Sequence, residues 1–248
     1  MNLSTEAIRK LTGLGDVTVL DETDSTNTRL KAMASEKAEG AVLVARKQTA
    51  GRGRGGKTFF SPAGGLYLSV LVKPRDPAVF TRLTMMAGVA AAEAIEVIAG
   101  KQAKIKWVND IFVDGKKVCG ILAESDARGT AAVVGAGFNL LPPAGGFDKT
   151  IAEIAGAVLE REPADASRLA AEFLNRLFVF LRGERPFFDE YRRRSLLIGH
   201  TVRFARNGQT VTGHAADIRA DGALLVRAGE QTIALFGGEV SLCDYPRG

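Results

Sequence analysis

The stretch QTAGRGRGGKTFFSP, residues 48–62, constrains this chain more than any other. It lies between two apolar, strand-like runs, AVLVARK at residues 41–47 and LYLSVLV at residues 66–72, both rich in β-branched or large apolar side chains. Gly51, Gly56, Lys57 and Thr58 fall on the G-x-x-x-x-G-K-[ST] spacing of a nucleotide-binding P-loop. A P-loop, however, needs a helix that starts at its Lys-Thr end and adds its N-terminal dipole to the phosphate site. Here Pro62, Gly64 and Gly65 interrupt any helix, and a strand begins at Leu66. The expected order is therefore strand, loop, strand. Such a loop, with Gly51, Gly53, Gly55 and Gly56, can take up positive φ angles and bring its backbone against a ligand, while Arg52 and Arg54 supply charged forks suited to carboxylate and phosphate. Between two apolar strands it reads as a lid over a site.

The remaining pattern sets the fold class. Between residues 77 and 99 the chain is apolar on nearly every side and stops at Gly100, which predicts a buried helix. KIKWVND and IFVDGKKVCGILAE follow as strand and hairpin, with Asp114-Gly115 as the turn, and AAVVGAGFNL is a further strand. Ala166, Leu169, Ala170, Phe173, Leu174, Leu177, Phe178 and Leu181 sit at i, i+3, i+4 spacing and define an amphipathic helix. The main body is α+β. From about residue 195 only short strands follow, with Asn207-Gly208 and Asp221-Gly222 as turns, so a small barrel of SH3-like size is expected over residues 195–248 beside a larger domain over residues 1–194.

A second charged cluster lies in KWVND. Read as a strand, it puts Lys106, Val108 and Asp110 on one face and Trp107 and Asn109 on the other. A two-residue turn at Asp114-Gly115 would pair Phe112 with Lys117 and bring Lys117 diagonally near Asp110. That arrangement serves either a cross-strand ion pair or a Lys-to-phosphate and Asp-to-magnesium site. DSTN, residues 24–27, precedes an amphipathic stretch and is by itself a helix cap.

With 46% hydrophobic and 25% charged residues, the composition is that of an ordinary globular protein. No uninterrupted apolar run of membrane-spanning length is visible, and the N-terminus lacks a secretory signal, so no membrane partner and a cytoplasmic setting are expected. Cys119 and Cys243 are too few and too distant for a zinc site or disulfide framework and read as buried or partly buried free thiols. The net charge of +5 suggests an anionic ligand or partner without saying which.

In order, DSTN, QTAGRGRGGKTFFSP, KWVND, KVCGILAE at residues 117–124 and VVGAGFNL resemble the signature set of biotin protein ligases, and the tail, with DGALLV and GGEVSL, resembles that family's small C-terminal barrel. The resemblance implies an α+β fold of the class II synthetase and biotin ligase type, with a mixed, largely antiparallel central sheet flanked by helices and an SH3-like barrel. It implies a ligase that uses magnesium-ATP (Mg2+ with the nucleotide) to convert biotin to biotinyl-5′-AMP, then transfers biotin to a lysine of a biotin carboxyl carrier domain. It further implies that Ser25, Thr26, Gln48 and the backbone of Gly51 and Arg52 contact biotin, with Asn27 in the same cofactor-binding set. The loop through Gly53 and Arg54 would order over the adenylate, with Arg52 and Arg54 near carboxylate and α-phosphate. Lys117 would hold both groups, and Asn109 and Asp110 would face adenylate and magnesium, unless Asp110 deprotonates the incoming amine. Phe59 would stand near adenine, Trp107 would join the binding set, and Gly120, Gly135, Gly137 and Asn139 would shape the pocket.

Two departures from the family pattern are visible, Val108 where KWPND has Pro, and Phe59 where some relatives have Trp. Only about 20 residues precede DETDSTN, too few for a winged helix, so no DNA binding is expected; monomer and homodimer both remain open. Two rivals are a lipoate or octanoate ligase and a nucleic-acid-binding module built on the basic loop. Asp110 and Glu124 beside the basic cluster count against the second.

Overall fold

The computed structural model describes residues 1–126 and 128–243. Its larger sheet has seven strands: β1 (Val17–Leu20), β2 (Val42–Ala45), β3 (Leu66–Val72), β4 (Lys104–Lys106), β5 (Asp110–Val113), β6 (Lys116–Ser125) and β7 (Ala132–Phe138). They lie in the order β1-β2-β3-β7-β6-β5-β4. Only β1 and β2 run parallel; the other adjacent pairs are antiparallel. Strand β3 is buried along its whole length, because both faces of the sheet are covered.

One face carries α3 (Ala78–Ala99), against which α4 (Ala166–Leu181) and α5 (Phe188–Arg193) pack, with α1 (Thr5–Thr12) against α4. Leu66, Leu68, Val70 and Val72 of β3 join the main core there, with Val134, Ala136 and Phe138 of β7 and Cys119 and Ile121 of β6. Helix α3 is long and apolar enough to cross a membrane by composition, but its side chains are spent on this core, and Gly100 closes it with a left-handed φ of 65°. The opposite face is covered by the short α2 (Thr26–Ala32), whose Leu30 sits over Leu43, Leu71 and Val133. Since α2 is only seven residues long, much of that face is left to loops. The site lies there.

The second sheet has five antiparallel strands in the order β11-β10-β9-β8-β12: β8 (Thr201–Arg206), β9 (Gln209–Ile218), β10 (Leu224–Ala228), β11 (Gln231–Leu235) and β12 (Val240–Leu242). Asn207-Gly208 turns β8 into β9 with both residues at positive φ, as a two-residue hairpin of this twist requires. The two sheets share joints. Trp107 Nε1 donates to Gly222 O at 2.9 Å, and Arg192 grips Asp217 through two bonds of 2.7 and 2.8 Å.

Two expectations are corrected. KWVND is not a strand: β4 ends at Lys106, residues 107–109 turn, and Lys106 pairs with Asp110 across an antiparallel hairpin. Alternation of side chains, on which the strand reading rested, also fits two short strands meeting at a tight turn. Cys243 is exposed, unlike the buried Cys119, because it lies just past the end of an edge strand.

Candidate active site

Three glycines hollow out the sheet on the face away from α3. Gly120 of β6 pairs with Gly137 of β7, and Leu122 pairs with Gly135; on the other side, Tyr67 and Ser69 of β3 pair with Gly137 and Gly135. A Cβ at Gly137 would lie 2.6 Å from the Phe59 ring, one at Gly120 2.9 Å from it, and one at Gly135 2.1 Å from Asn27 Oδ1. Contacts that short do not occur in packed proteins, so these positions are fixed by space, not by backbone angle. Phe59 lies over the floor they make, edge-on to Tyr67 with ring centroids 6.4 Å apart.

A polar row borders the floor. Ser25 caps α2, accepting from Thr28 N at 3.4 Å, and both Thr26 N and Thr26 Oγ1 donate to Gln48 Oε1, at 2.8 and 3.2 Å. Gln48 Nε2 donates to Ser61 Oγ, which donates to Phe59 O, each at 2.9 Å. Ser69, fully buried in an apolar strand, has its hydroxyl 2.8 Å from Thr26 Oγ1 and 2.6 Å from Asn27 Oδ1. A buried hydroxyl without such partners would be costly, and the row supplies them. Gly51 is held against this row: a Cβ there would meet Ser61 Oγ at 2.3 Å and Phe59 O at 2.4 Å.

Cations gather at the other end. The register Phe112↔Lys117, with a bulge next to it, brings Lys117 Nζ to 2.8 Å from Asp110 Oδ1. That oxygen is buried and makes no hydrogen bond of good alignment, so the ion pair is its main partner. Lys117 also stands 5.7 Å from the centre of the Phe59 ring, which joins the two halves of the site. Asn139 donates to Gly156 O at 3.0 Å and to Lys117 O at 3.4 Å, so it fastens the backbone under Lys117. Asn109 donates to Ile121 O at 3.0 Å and accepts from Arg54 Nη1 at 3.3 Å. Arg52 Nη2 donates to Glu124 Oε1 at 3.0 Å. Lys106, half-buried on the same side, has its ammonium pushed below the ordinary lysine range by burial; Asp110 opposes the shift, and Lys117 and Lys57 add to it.

The glycine loop has the strand-loop-strand context expected of it. Gly55 and Gly56 take positive φ, 64° and 78°, whereas Gly51 and Gly53 do not. Gly53 N bonds to Lys57 O at 2.7 Å, closing a tight turn, and Lys57 forms an ion pair with Glu239 between β11 and β12.

The structure thus brings Ser25, Thr26, Asn27, Gln48, Arg52, Phe59, Gly120, Gly135 and Gly137 to one cavity of about 30 Å3, with Lys117, Asp110, Asn109 and Arg54 beside it. Trp107 is not brought there. Its indole is buried and committed to Gly222, so its position is that of a joint between the sheets. Tyr67, Ser69, Ser61 and Leu122 are site residues that sequence reasoning missed. Ser69 carried a usable signal, a lone hydroxyl inside LYLSVLV; the others carried none. Cys119 is no candidate nucleophile, since it faces the core and burial pushes its thiol well above the ordinary range. Among the described residues no cluster of three His, Cys, Asp or Glu side chains could cage a metal.

Comparison with known proteins agrees with this geometry. Residues 19–139 match the biotin/lipoate A/B protein ligase family, and residues 197–243 match the biotin protein ligase C-terminal domain. The chain is 34% identical to the biotin--[acetyl-CoA-carboxylase] ligase of Mycobacterium tuberculosis, over 92% of this chain and 89% of that protein. It is 31% identical to the bifunctional ligase/repressor BirA of Bacillus subtilis, over 90% of this chain and 72% of that protein. Among solved structures, a biotin protein ligase from Aquifex aeolicus in complex with biotin and ATP superposes with a TM-score of 0.79 at 29% identity, covering 92% of this chain and 98% of that one.

Proposed function

The chain belongs to the biotin protein ligase family, and from that premise we propose that it activates biotin with ATP as biotinyl-5′-AMP and transfers it to a lysine of a biotin carboxyl carrier domain. One observation carries the reading: a glycine-floored slot with a polar row at one end opens directly on a cluster of cations at the other. An acid that must lie beside a nucleotide phosphate needs that layout.

The first half-reaction joins a biotin carboxylate oxygen to the α-phosphorus and expels pyrophosphate. In the second, a neutral acceptor amine attacks the acyl carbonyl of the mixed anhydride, AMP leaves with the bonding pair, and the surplus proton on nitrogen passes to solvent. Neither step requires a protein nucleophile. What they require is alignment and positive charge where negative charge accumulates. Ser25, Thr26, Asn27, Gln48 and Ser69 offer donors and acceptors for the polar ring of biotin. Arg54 and Lys117 meet the carboxylate and α-phosphate, Arg54 with its fork and Lys117 as a point charge that tolerates changing geometry. Asn109 orients Arg54, and Asn139 fixes the backbone beneath Lys117.

The Phe59 ring lies directly against Gly120 and Gly137, so a ligand that is to rest on that glycine floor requires Phe59 to swing off it. The Gly55 and Gly56 hinge gives the loop that freedom. Magnesium is usually held by one or two carboxylates together with nucleotide phosphates and water, and the lone Asp110 carboxylate fits such a nucleotide-borne ion and not a protein-built cage. Bound there, the ion would supply further charge for the phosphates. The free thiols and the use of ATP accord with a cytoplasmic setting.

The test is biotin-dependent release of pyrophosphate from ATP, with lipoate and octanoate as controls. Release with biotin alone is expected. Release with lipoate but not biotin would assign the slot to the other branch of the matched family.

A further inference from the structure

Glu124 has no part in the chemistry just described, yet more of the site converges on it than on any residue outside that chemistry. It sits on β6, two residues beyond Leu122 and four beyond Gly120, and so points to the pocket face of the strand. Its carboxylate is 18% exposed and receives three groups: Arg52 Nη2 at 3.0 Å, Asn27 Nδ2 at 3.1 Å and Lys31 Nζ at 3.7 Å. Arg52 belongs to the glycine loop. Asn27 and Lys31 belong to α2, on the far side of the pocket. Asn27 is fixed from its other end too, accepting from Ser69 at 2.6 Å and donating to Leu122 O at 3.2 Å.

We propose that Glu124 is a positioning residue that couples the ligand pocket to the loop above it, by holding Arg52 of the loop and Asn27 of the pocket in one network. The inference rests on the biotin ligase reading of the same site. A ligand that grips Asn27 holds the carboxamide where it donates to Glu124, and the same carboxylate then fastens Arg52 across the mouth. The closed loop in turn slows escape of the acyl-adenylate. Arg52 works here as a fastener with its charge already balanced, which leaves Arg54, whose partner Asn109 is neutral, as the loop's free charge toward phosphate. A single partly exposed ion pair would shift loop closure only about two- to fivefold. Two cations and an amide on one carboxylate give a network for which about tenfold is the reasonable scale.

The full chain is loaded with biotin and magnesium-ATP, freed of excess ligand, and followed for loss of biotinyl-adenylate and for tryptic cutting at Arg52 and Arg54. Glu124→Gln keeps an acceptor for Asn27 but loses the charge. It is expected to speed adenylate loss about tenfold, with a larger change in loss than in the saturating rate of formation, and to speed cutting of the loop. Glu124→Asp should recover part of the retention, and it serves in place of Glu124→Gln if that variant does not fold. Arg52→Gln combined with Glu124→Gln should leak no faster than the worse single variant. Unchanged loss and unchanged cutting in Glu124→Gln would overturn the proposal, as would effects of the two substitutions that multiply. A wild-type chain that forms no adenylate from biotin would overturn the reading beneath it, and this inference with it.

Discussion

At the scale of single residues, the site is built as much from missing atoms as from present ones. Gly135 faces Asn27 Oδ1 so closely that one methyl would push the carboxamide out of its bonds with Ser69 and Glu124. Gly135→Ala should therefore weaken biotin binding by about tenfold or more, because a buried polar group is left unpaired; titration calorimetry with biotin alone reads it. Lys117 is bound to the charge-bearing end. Lys117→Ala should cut the rate of adenylate formation by about 100-fold or more, the usual cost of one well-placed donor, in a chain that still folds but with a lowered unfolding midpoint, because Asp110 Oδ1 loses its main partner. A near-normal rate would mean that the carboxylate and α-phosphate meet elsewhere.

At the scale of elements, the sequence was a good guide wherever periodicity and turn chemistry agreed. Helices α3 and α4, strands β2, β3 and β7, and the Asp114-Gly115 and Asn207-Gly208 hairpins all follow from local pattern. The pairing of Lys117 with Asp110 followed as well, since a two-residue turn fixes register. What could not be read was the turn inside KWVND, which carries no Gly or Asn-Gly signal, and the parallel pairing of β1 with β2, which is set by contacts distant in sequence. Ser61 and Tyr67 escaped for a related reason: their roles depend on loop closure, not on their neighbours in the chain. Between elements, Arg194 ties α3 to the chain after α5 through Glu96, at 2.9 Å on its Nη2 side. Burial raises the Glu96 carboxyl, but the Arg194 hydrogen bond, the Ala103 amide and the charges of Arg194 and Arg193 outweigh it, so the group is held below its ordinary value. A depressed carboxyl gives stability that is present above the unfolded value of about pH 4.3 and is lost as pH falls through the lower folded value. Urea unfolding of Glu96→Gln should accordingly show less stability than wild type at neutral pH and a shallower loss below about pH 4.3. Parallel curves would place the acid sensitivity in other carboxylates.

At the scale of the whole molecule, the second sheet is fastened to the first beside the cations. Trp107 reaches from the turn before Asp110 to Gly222, while Lys57 of the glycine loop meets Glu239. Trp107→Phe would leave Gly222 O without its indole donor and should lower the unfolding free energy by about 1–3 kcal/mol. If the joint also holds the turn in place, KM for ATP should rise more than KM for biotin; equal changes would confine Trp107 to stability. The hollow itself has one more consequence. Behind Gly120, Gly135 and Gly137 the sheet is backed by α3, so the slot has a floor and no rear exit. Whatever occupies the slot therefore comes and goes on the side where the glycine loop stands, and that one loop is both its door and its latch.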